Sequence, residues 1–428
     1  MPNCSPIYPT YPRAILGKRM FQLTLALLIG LFSAFHSFAQ PQQQRELTLQ
    51  EALQRAQSTW QPLKSDSLNT MAAQRESKAH PMLDPAQVNS EWGQINSVYR
   101  DQGLQINQTF RLPGFYKAQR NLAQTKLEGA RIEQARSLTN LERDLISTYY
   151  TYQVLYQKRI LLQHNDSVIS ETVKVLKQRY QRGQISGSDL NQILLIQGES
   201  SINIQKASRE LENTLRWFQY LTASEFMPWG LDSVLWTAGL GIIREQNPSP
   251  DLDLLANLSK EAKANSQLSQ QLRKPGWSIG LRNVSIQGMG PDGVLYPMSR
   301  RFNTFQAGLV LPLWGRPLRE QAIADRFRSE AMHLNHKHGM GRWSVLQRNT
   351  LLEVADLQSQ WSKFNTILIP LADELTQQAN TQLASGELDL IEWTHNHQRI
   401  MQTRESYLQL AMDFNNALIR LRFPTLIP

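Results

Sequence analysis

The feature that most constrains this chain is the length of its helical runs. From Gly114 to about Arg182, no proline interrupts a helical pattern of about 69 residues, or roughly 100 Å at 1.5 Å per residue. A single globular core is far shorter, so we expect a rod. A second run extends from about Pro317 to Leu383, with Pro317 in the first turn, where its missing N–H costs nothing.

The two runs belong to two copies of one larger unit. Residues 104–114 and 305–315 are both strand-like stretches that end in a proline–glycine turn, 201 residues apart. Farther on, Gly183 matches Gly386 at an offset of 203. Because the offset changes by only two residues between the two matches, we predict a duplication. We therefore predict a signal peptide at 1–39, a first repeat at 40–227, a linker at 228–250 and a second repeat at 251–428.

Each repeat opens with a helix and a pair of strands. The first helix is predicted from Leu47 to about His80, with Thr48 as N-cap and Glu51 three residues later; the second is predicted at Asp251–Lys274. Strands are predicted near Gln87–Val98 and Leu104–Leu112.

The second of these strands alternates in character. One face carries Leu104, Ile106, Phe110 and Leu112, and the other carries Gln105, Asn107, Thr109 and Arg111. This alternation is what a barrel wall between lipid and water needs, but any half-buried strand also shows it.

Each repeat closes with a glycine turn and a returning helix about half as long as the outgoing one. These helices are predicted from Asp189 to about Leu221 and from the Ser385–Gly386 turn to about Arg422. In the second outgoing helix a 4-3-4-3-4 spacing predicts a coiled-coil seam, which Pro370 should bend. The seam consists of Leu357, Trp361, Phe364, Leu368, Leu371 and Leu375.

The N-terminus has the pattern of an export signal. Arg13, Lys18 and Arg19 precede the apolar run Phe21–Phe35, and Ser37–Ala39 offers small residues for cleavage after Ala39; an uncleaved anchor is the alternative. The only cysteine is Cys4, so there is no disulfide framework or thiolate metal site.

Charge and motifs exclude other classes of function. The net charge of +9 is mild for 428 residues, and no basic run with interleaved aromatics predicts nucleic-acid binding. We find no phosphate-cradling glycine loop, zinc-protease motif, nucleophile elbow or plausible catalytic triad. We therefore predict that the chain is not an enzyme and needs no cofactor.

This layout resembles the TolC family of outer-membrane efflux proteins, and its local sequence is most similar to the CzcC/CusC-like heavy-metal branch. The resemblance lies in the stretches 93–97, 108–113, 308–313 and 386–388, with Tyr116, Lys117 and Glu392. It implies a mainly α fold with a small β part: a trimer whose twelve-stranded barrel in the outer membrane continues as a periplasmic helical barrel.

The resemblance also implies roles for the glycine turns, as tips that dock on an adaptor. The implied docking residues are Gly183, Gln184, Ile185, Ser186, Gly386, Glu387 and Leu388. Acidic residues near the pore constriction correspond to Asp189 and Glu392, with Asp389 one turn away; Asp189 could instead cap the returning helix. Tyr180 lies where a gating tyrosine can occur, but Leu383 takes the equivalent place in the second repeat.

The implied function is a passive exit duct of a tripartite efflux system. Its partners would be two further copies of the chain, a periplasmic adaptor (membrane fusion) protein, an inner-membrane pump of the resistance-nodulation-division type and outer-membrane lipid. Heavy-metal cations are the cargo that this branch suggests. A soluble periplasmic coiled-coil adaptor or scaffold is the alternative, and an exported enzyme is a third hypothesis.

One dense cluster of histidines stands outside these roles. His333, His336 and His338 are flanked by Met332 and Met340, and imidazole with thioether suits soft or borderline metals. An exposed polar stretch of helix is the alternative. His395 and His397 are two residues apart on a predicted helix, so we expect them to face different ways.

Overall fold

The computed structural model describes residues 46–94, 98–228, 234–235 and 249–426. The predicted signal peptide at 1–39, most of the predicted linker at 228–250 and the stretch 95–97 lie outside these residues. The order helix, strand, strand, long helix and returning helix occurs in both halves of the described chain.

In its described residues, the first half has four helices and three strands before its short closing strand. In chain order the elements are β1 (Glu46–Leu47), α1 (Leu49–Thr59), α2 (Gln61–Ala79), β2 (Gln87–Gly93), β3 (Asp101–Arg111), α3 (Pro113–Gln181), α4 (Gly187–Thr222) and β4 (Met227–Pro228). The 69-residue α3 confirms the predicted rod.

The second half repeats this order with one helix before its strands. The elements are α5 (Pro250–Leu272), β5 (Gly276–Ser285), β6 (Gly288–Met289), β7 (Leu295–Tyr296), β8 (Arg301–Val310), α6 (Arg316–Lys363), a π-helical turn (Phe364–Leu368), α7 (Ile369–Ser385) and α8 (Leu390–Arg422). No helix in the described ranges is long and apolar enough to cross a lipid bilayer.

The first predicted helix begins as expected but is broken. Thr48 accepts a hydrogen bond from the Glu51 N–H, and the Glu51 carboxylate accepts one from the Thr48 N–H, so the capping box is confirmed. Trp60, however, has an extended backbone (φ −64°, ψ 113°) that ends α1, and Pro62 lies in the first turn of α2. The single helix predicted from Leu47 to His80 was therefore wrong at this point.

The predicted coiled-coil seam is correct only in its first part. Leu357 and Trp361 pack against a buried cluster on α8, but Leu368 and Leu371 are exposed and Ala372 is buried instead. The π-helical turn adds one residue just before Pro370, a proline that has no N–H for an ordinary helical bond. The extra residue moves the buried face from Leu368 and Leu371 to Ile369 and Ala372.

The four main strands form one antiparallel sheet in the order β2-β3-β5-β8. The strands end close to their predicted bounds, although β2 stops at Gly93 rather than Val98 and β3 begins at Asp101 rather than Leu104. Within the described residues β2 and β8 each pair with a single neighbour. The sheet therefore has two open edges.

The long helices are covered over their length by two sets of partners. The returning helix α4 packs on the tip half of α3, while α2 and α5 pack on the half next to the sheet. Arg55 Nε donates to Thr222 O at 3.2 Å, which joins α1 to the end of α4. The helices α1 and α4 therefore meet end to end.

The equivalent joint in the second half is held by a buried carboxylate. Asp251, in the first turn of α5, accepts from Arg136 Nε at 2.6 Å and from Leu426 N–H at 2.7 Å. The joint therefore connects the start of α5, the middle of α3 and the segment after α8.

Replacing this carboxylate should loosen the joint. For Asp251→Ala we expect a loss of about 2–3 kcal/mol in the free energy of unfolding, because two charge-assisted bonds disappear and Arg136 stays half-buried. Urea unfolding followed by tryptophan fluorescence measures this. The control Glu128→Ala removes an exposed ion pair to Lys260 at 3.4 Å and should cost about 0.5 kcal/mol; equal losses would contradict the prediction.

Candidate functional site

The two glycine turns lie together at one end of the helical rod. Gly183 (φ +70°) and Gly386 (φ +83°) both have the left-handed backbone that favours glycine. Each follows a long outgoing helix, and Glu387 N–H closes the second turn on Gln382 O at 2.9 Å. We call the two turns, residues 182–190 and 385–393, the first tip and the second tip.

The first tip is fixed by a second capping box. Ser186 Oγ accepts from Asp189 N–H at 3.1 Å, and Asp189 Oδ2 accepts from Ser186 N–H at 3.0 Å. The interpretation of Asp189 as a cap is therefore confirmed. Its role in an acidic pore ring stays a prediction.

The second tip has the same spacing with different residues. Asp389 directly precedes α8, and its backbone carbonyl accepts from Trp393 N–H at 2.9 Å. Glu392 lies in the first turn. Asp389 and Glu392 correspond to Ser186 and Asp189 at the offset of 203. Glu387 and Glu392 are exposed.

Both tips rest on one apolar cluster that joins the two repeats. Its buried members are Ile169, Val173, Leu176, Ile193, Ala379 and Trp393, and Ile185, Leu190 and Leu388 pack against them. A hydrophobic staple pairs the residue before the N-cap with the fourth helical residue. In the second tip these residues are Leu388 and Trp393. In the first tip they are Ile185 and Leu190. Sequence reasoning missed Trp393 and Leu190, although the staple spacing was visible.

Tyr180 and Leu383 differ in their surroundings as well as in chemistry. Tyr180 is about half exposed and lies over the first tip. Its ring is so close to Gly187 that a Cβ added there would be 3.7 Å from it. Leu383 instead packs into the apolar cluster. A gating role for Tyr180 therefore stays a prediction for the first repeat alone.

The five histidines considered as metal ligands lie on two helices, α6 and α8. His333 and His338 are exposed and His336 is half-buried on α6. In the described part of the chain, no three His, Cys, Asp or Glu side chains are placed to hold a metal ion, so His333, His336 and His338 do not form a ready-made site. His395 is exposed, whereas His397 points into the helix packing.

His397 is held neutral by its surroundings. It stacks on Trp393 with ring centroids 4.8 Å apart, and its Nε2–H donates to Asn165 Oδ1 at 2.5 Å. Burial, followed by the charges of Arg404 and His164, lowers the pKa of His397 from 6.5 to about 4.

The sheet at the other end has one mainly apolar and one mainly polar face. Val88, Ile106, Leu281 and Phe305 form one continuous row across all four strands, and they are between 44% and 74% exposed. The adjacent row on the opposite face consists of Asn89, Gln105, Arg282 and Thr304. Gln105 Nε2 also donates to Gln306 Oε1 at 2.8 Å on the polar face.

Comparison with known proteins identifies the fold. No protein-family model and no curated protein sequence matches the chain. Among solved structures it is similar to CusC (TM-score 0.71, 15% identity, 87% of this chain and 90% of that chain). It is also similar to the CmeC outer-membrane channel of Campylobacter jejuni (0.71, 11%, 87% and 84%). The MtrE outer-membrane channel of Neisseria gonorrhoeae in its open state is similar as well (0.65, 13%, 87% and 88%).

These likenesses confirm the predicted TolC-like fold, mainly helical with a minor sheet part. They extend over nearly nine tenths of the chain, so the similarity includes both repeats. At identities of 11–15% they show the fold, and function has to be argued from the geometry.

The left-handed glycine of the second tip should resist substitution. We expect Gly386→Ala to lower the local stability of the tip by roughly 1 kcal/mol, because an L side chain is strained in that conformation. Hydrogen exchange of the tip amides measures the change. Gly198, in open space within α4, is the control: Gly198→Ala should stabilise its helix by roughly 0.5–1 kcal/mol, and a shift of the same sign in both variants would refute the explanation.

The tip should also weaken in acid. Between pH 6.5 and about 4, His397 binds a proton in the unfolded chain but stays neutral in the folded one. The free energy of unfolding therefore falls as the pH is lowered through this window. We expect faster tip proteolysis at pH 4.5 than at pH 7.5, and a much smaller difference in His397→Gln. Exposed His333→Gln is the control and should keep the wild-type pH dependence.

Proposed function

We propose that this chain is one protomer of a trimeric exit duct in the outer membrane, which passes cargo from a periplasmic adaptor and an inner-membrane pump to the outside. The observation that carries the proposal is the four-stranded sheet with an apolar face, a polar face and two open edges, continued by helices of up to 69 residues. Each part fits a section of such a duct.

The sheet supports a membrane-spanning assembly of several copies. An open edge in lipid leaves backbone N–H and C=O groups without partners, which costs several kcal/mol for each group. Pairing β8 of one copy with β2 of the next would satisfy both edges, and three copies would supply twelve strands. The apolar row of Val88, Ile106, Leu281 and Phe305 would then face lipid, and the polar row would face the lumen.

The helices support a periplasmic extension with a docking end. We propose that Gly183, Gln184, Ile185 and Ser186, with Gly386, Glu387 and Leu388, meet the adaptor, because these tips lie at the end opposite the sheet. Asp189, Asp389 and Glu392 would give the mouth acidic groups that favour cations. The assignment of heavy-metal cations as cargo rests on the sequence resemblance. A metal-sensitivity panel on a deletion strain tests this assignment.

The soluble adaptor or scaffold hypothesis makes a different prediction in fractionation. A duct should be a trimer that requires detergent and conducts ions in planar bilayers, whereas a soluble monomer in the periplasm would overturn the proposal. An adaptor has no need for a sheet whose apolar row is exposed across four strands.

A charge on the apolar row should prevent membrane insertion. We expect Phe305→Arg to cost about 2–4 kcal/mol if the position lies near the bilayer midplane, and hence to reduce the trimer recovered from outer membranes or folded into lipid vesicles. Thr304→Arg, one residue away on the polar face, is the control and should insert normally. Equal losses in the two variants would contradict the lipid-facing assignment.

A further inference from the structure

The face of the sheet that bears the apolar row changes character towards its far end, the end away from the helices. Two residues farther along each strand, about 7 Å, the same face carries a mainly polar row: Ser90, Leu104, Asn283 and Asn303. Asn283 Nδ2 donates to Asn303 Oδ1 at 2.7 Å, so amide groups lie directly beyond the row that contains Phe305. The apolar surface therefore stops before the sheet does.

The last row of this face, at the far end of the strands, combines an aromatic ring and a cation. Trp92 pairs with Gln102, and Ser285 pairs with Arg301. Gln102 N–H donates to Ser285 Oγ at 2.8 Å, which joins the two pairs. Arg301 in turn donates to Gln102 O at 3.0 Å and to Gln102 Oε1 at 3.3 Å. Its guanidinium is therefore held beside the Gln102 side chain.

A hollow of about 370 Å³ opens on the other side of Gln102. It is lined by Trp92, Gly93, Arg100, Gln102 and Met298, and the Trp92 side chain is 81% exposed. Gln102 thus separates two arginines, with Arg100 in the wall of the hollow and Arg301 next to it. We call the hollow together with Arg301 the rim patch.

The rim patch carries positive charge that the described part of the chain leaves unneutralised. Among the described residues, neither Arg100 nor Arg301 joins an ion pair. The carboxylates nearest in sequence are engaged elsewhere. Glu91 accepts from Arg282 at 3.0 Å, and Asp101 is buried and accepts from a backbone N–H at 2.8 Å. The patch therefore suits a ligand that has both an anionic group and an apolar part.

We propose that the rim patch binds a phosphorylated glycolipid of the outer leaflet, with Arg100 and Arg301 on its phosphate and Trp92 against its acyl chains. The inference rests on the proposed function, in which the far end of the sheet lies at the outer surface. A guanidinium matches phosphate oxygens with paired N–H donors, and tryptophan is favoured where lipid meets water.

The amide row below the rim patch favours a glycolipid over a simple phospholipid. Asn283 and Asn303 lie between the apolar row and Arg301, at the level where a sugar headgroup would begin. Hydroxyl and amide groups of a sugar can hydrogen-bond to these side chains and to Gln102. The glycerol headgroup of an anionic phospholipid offers fewer such groups.

Lipid binding to the full-length protein in detergent, followed by native mass spectrometry, tests the proposal. The probes are phosphorylated lipid A, the same lipid A after removal of its phosphates, phosphatidylglycerol and inorganic phosphate. We expect the phosphorylated lipid A to bind about tenfold more tightly than the dephosphorylated form, equivalent to about 1.4 kcal/mol. Equal binding of phosphatidylglycerol would overturn the glycolipid assignment, and displacement by equimolar inorganic phosphate would overturn a lipid as the source of the phosphate.

Substitution of the arginines should remove the preference for phosphate. Arg100→Gln and Arg301→Gln should each abolish most of it, whereas Arg301→Lys should keep part of it, because lysine retains the charge without the paired donors. Arg282→Gln is the matched control, since it removes the same charge from the opposite face of the sheet. An equal loss in Arg282→Gln, or a full preference in Arg100→Gln, would overturn the proposal.

The same preparations separate a failure of the rim patch from a failure of the duct. The spectra also give the oligomeric state, and planar-bilayer conductance tests the channel. A conducting trimer without a preference for phosphorylated lipid A refutes only the rim patch. A soluble monomer without conductance refutes the duct as well, and with it the position of the rim patch at the outer surface.

Discussion

The structure depends on covering a 69-residue helix along its whole length. Most of the stability of a helix in a protein comes from burying an apolar face, and α4, with 36 residues, can cover only about half of α3. The rest needs other helices, which α2 and α5 provide. Because these partners meet the returning helices end to end, each rod contains a joint in its middle.

The joints place buried polar groups, such as Thr222 and Asp251, at the ends of the stacked helices. Helix ends have N–H and C=O groups without helical partners, and here side chains from neighbouring helices satisfy some of them. Arg55 donates a hydrogen bond to a carbonyl at the end of α4. Asp251 accepts one from an N–H in the segment after α8 and also binds Arg136 on α3. The same carboxylate therefore fixes the register between the two repeats.

Local sequence patterns predicted most of this architecture, since their causes are local. Thr48 with Glu51 and the glycines at 183 and 386 each determine the backbone within one turn, and their predicted positions are confirmed. The break at Trp60 was missed although Pro62 was visible, because the apolar pattern continues through it. The shift of the buried face from Leu368 to Ile369 depends on a π-helical turn. Heptad spacing assumes a regular helix, so it does not reveal this turn. Of the candidate site, the tips were predicted, whereas the apolar cluster beneath them arises only from packing α3, α4, α7 and α8 together.

The two halves of the chain supply two similar tips, and the differences between them lie in their charged side chains. Both tips have the same staple spacing and rest on one apolar cluster, while their other side chains differ. The first repeat has Arg179 and Arg182 beside its tip, while the second has Gln382 and Ser385 in those places and carries its charges as Glu387 and Glu392. A ring built from such protomers would alternate basic and acidic tips around the mouth. In the proposed docking role, a partner that fits one tip would be disfavoured at the next, because like charges opposed across an interface cost several kcal/mol.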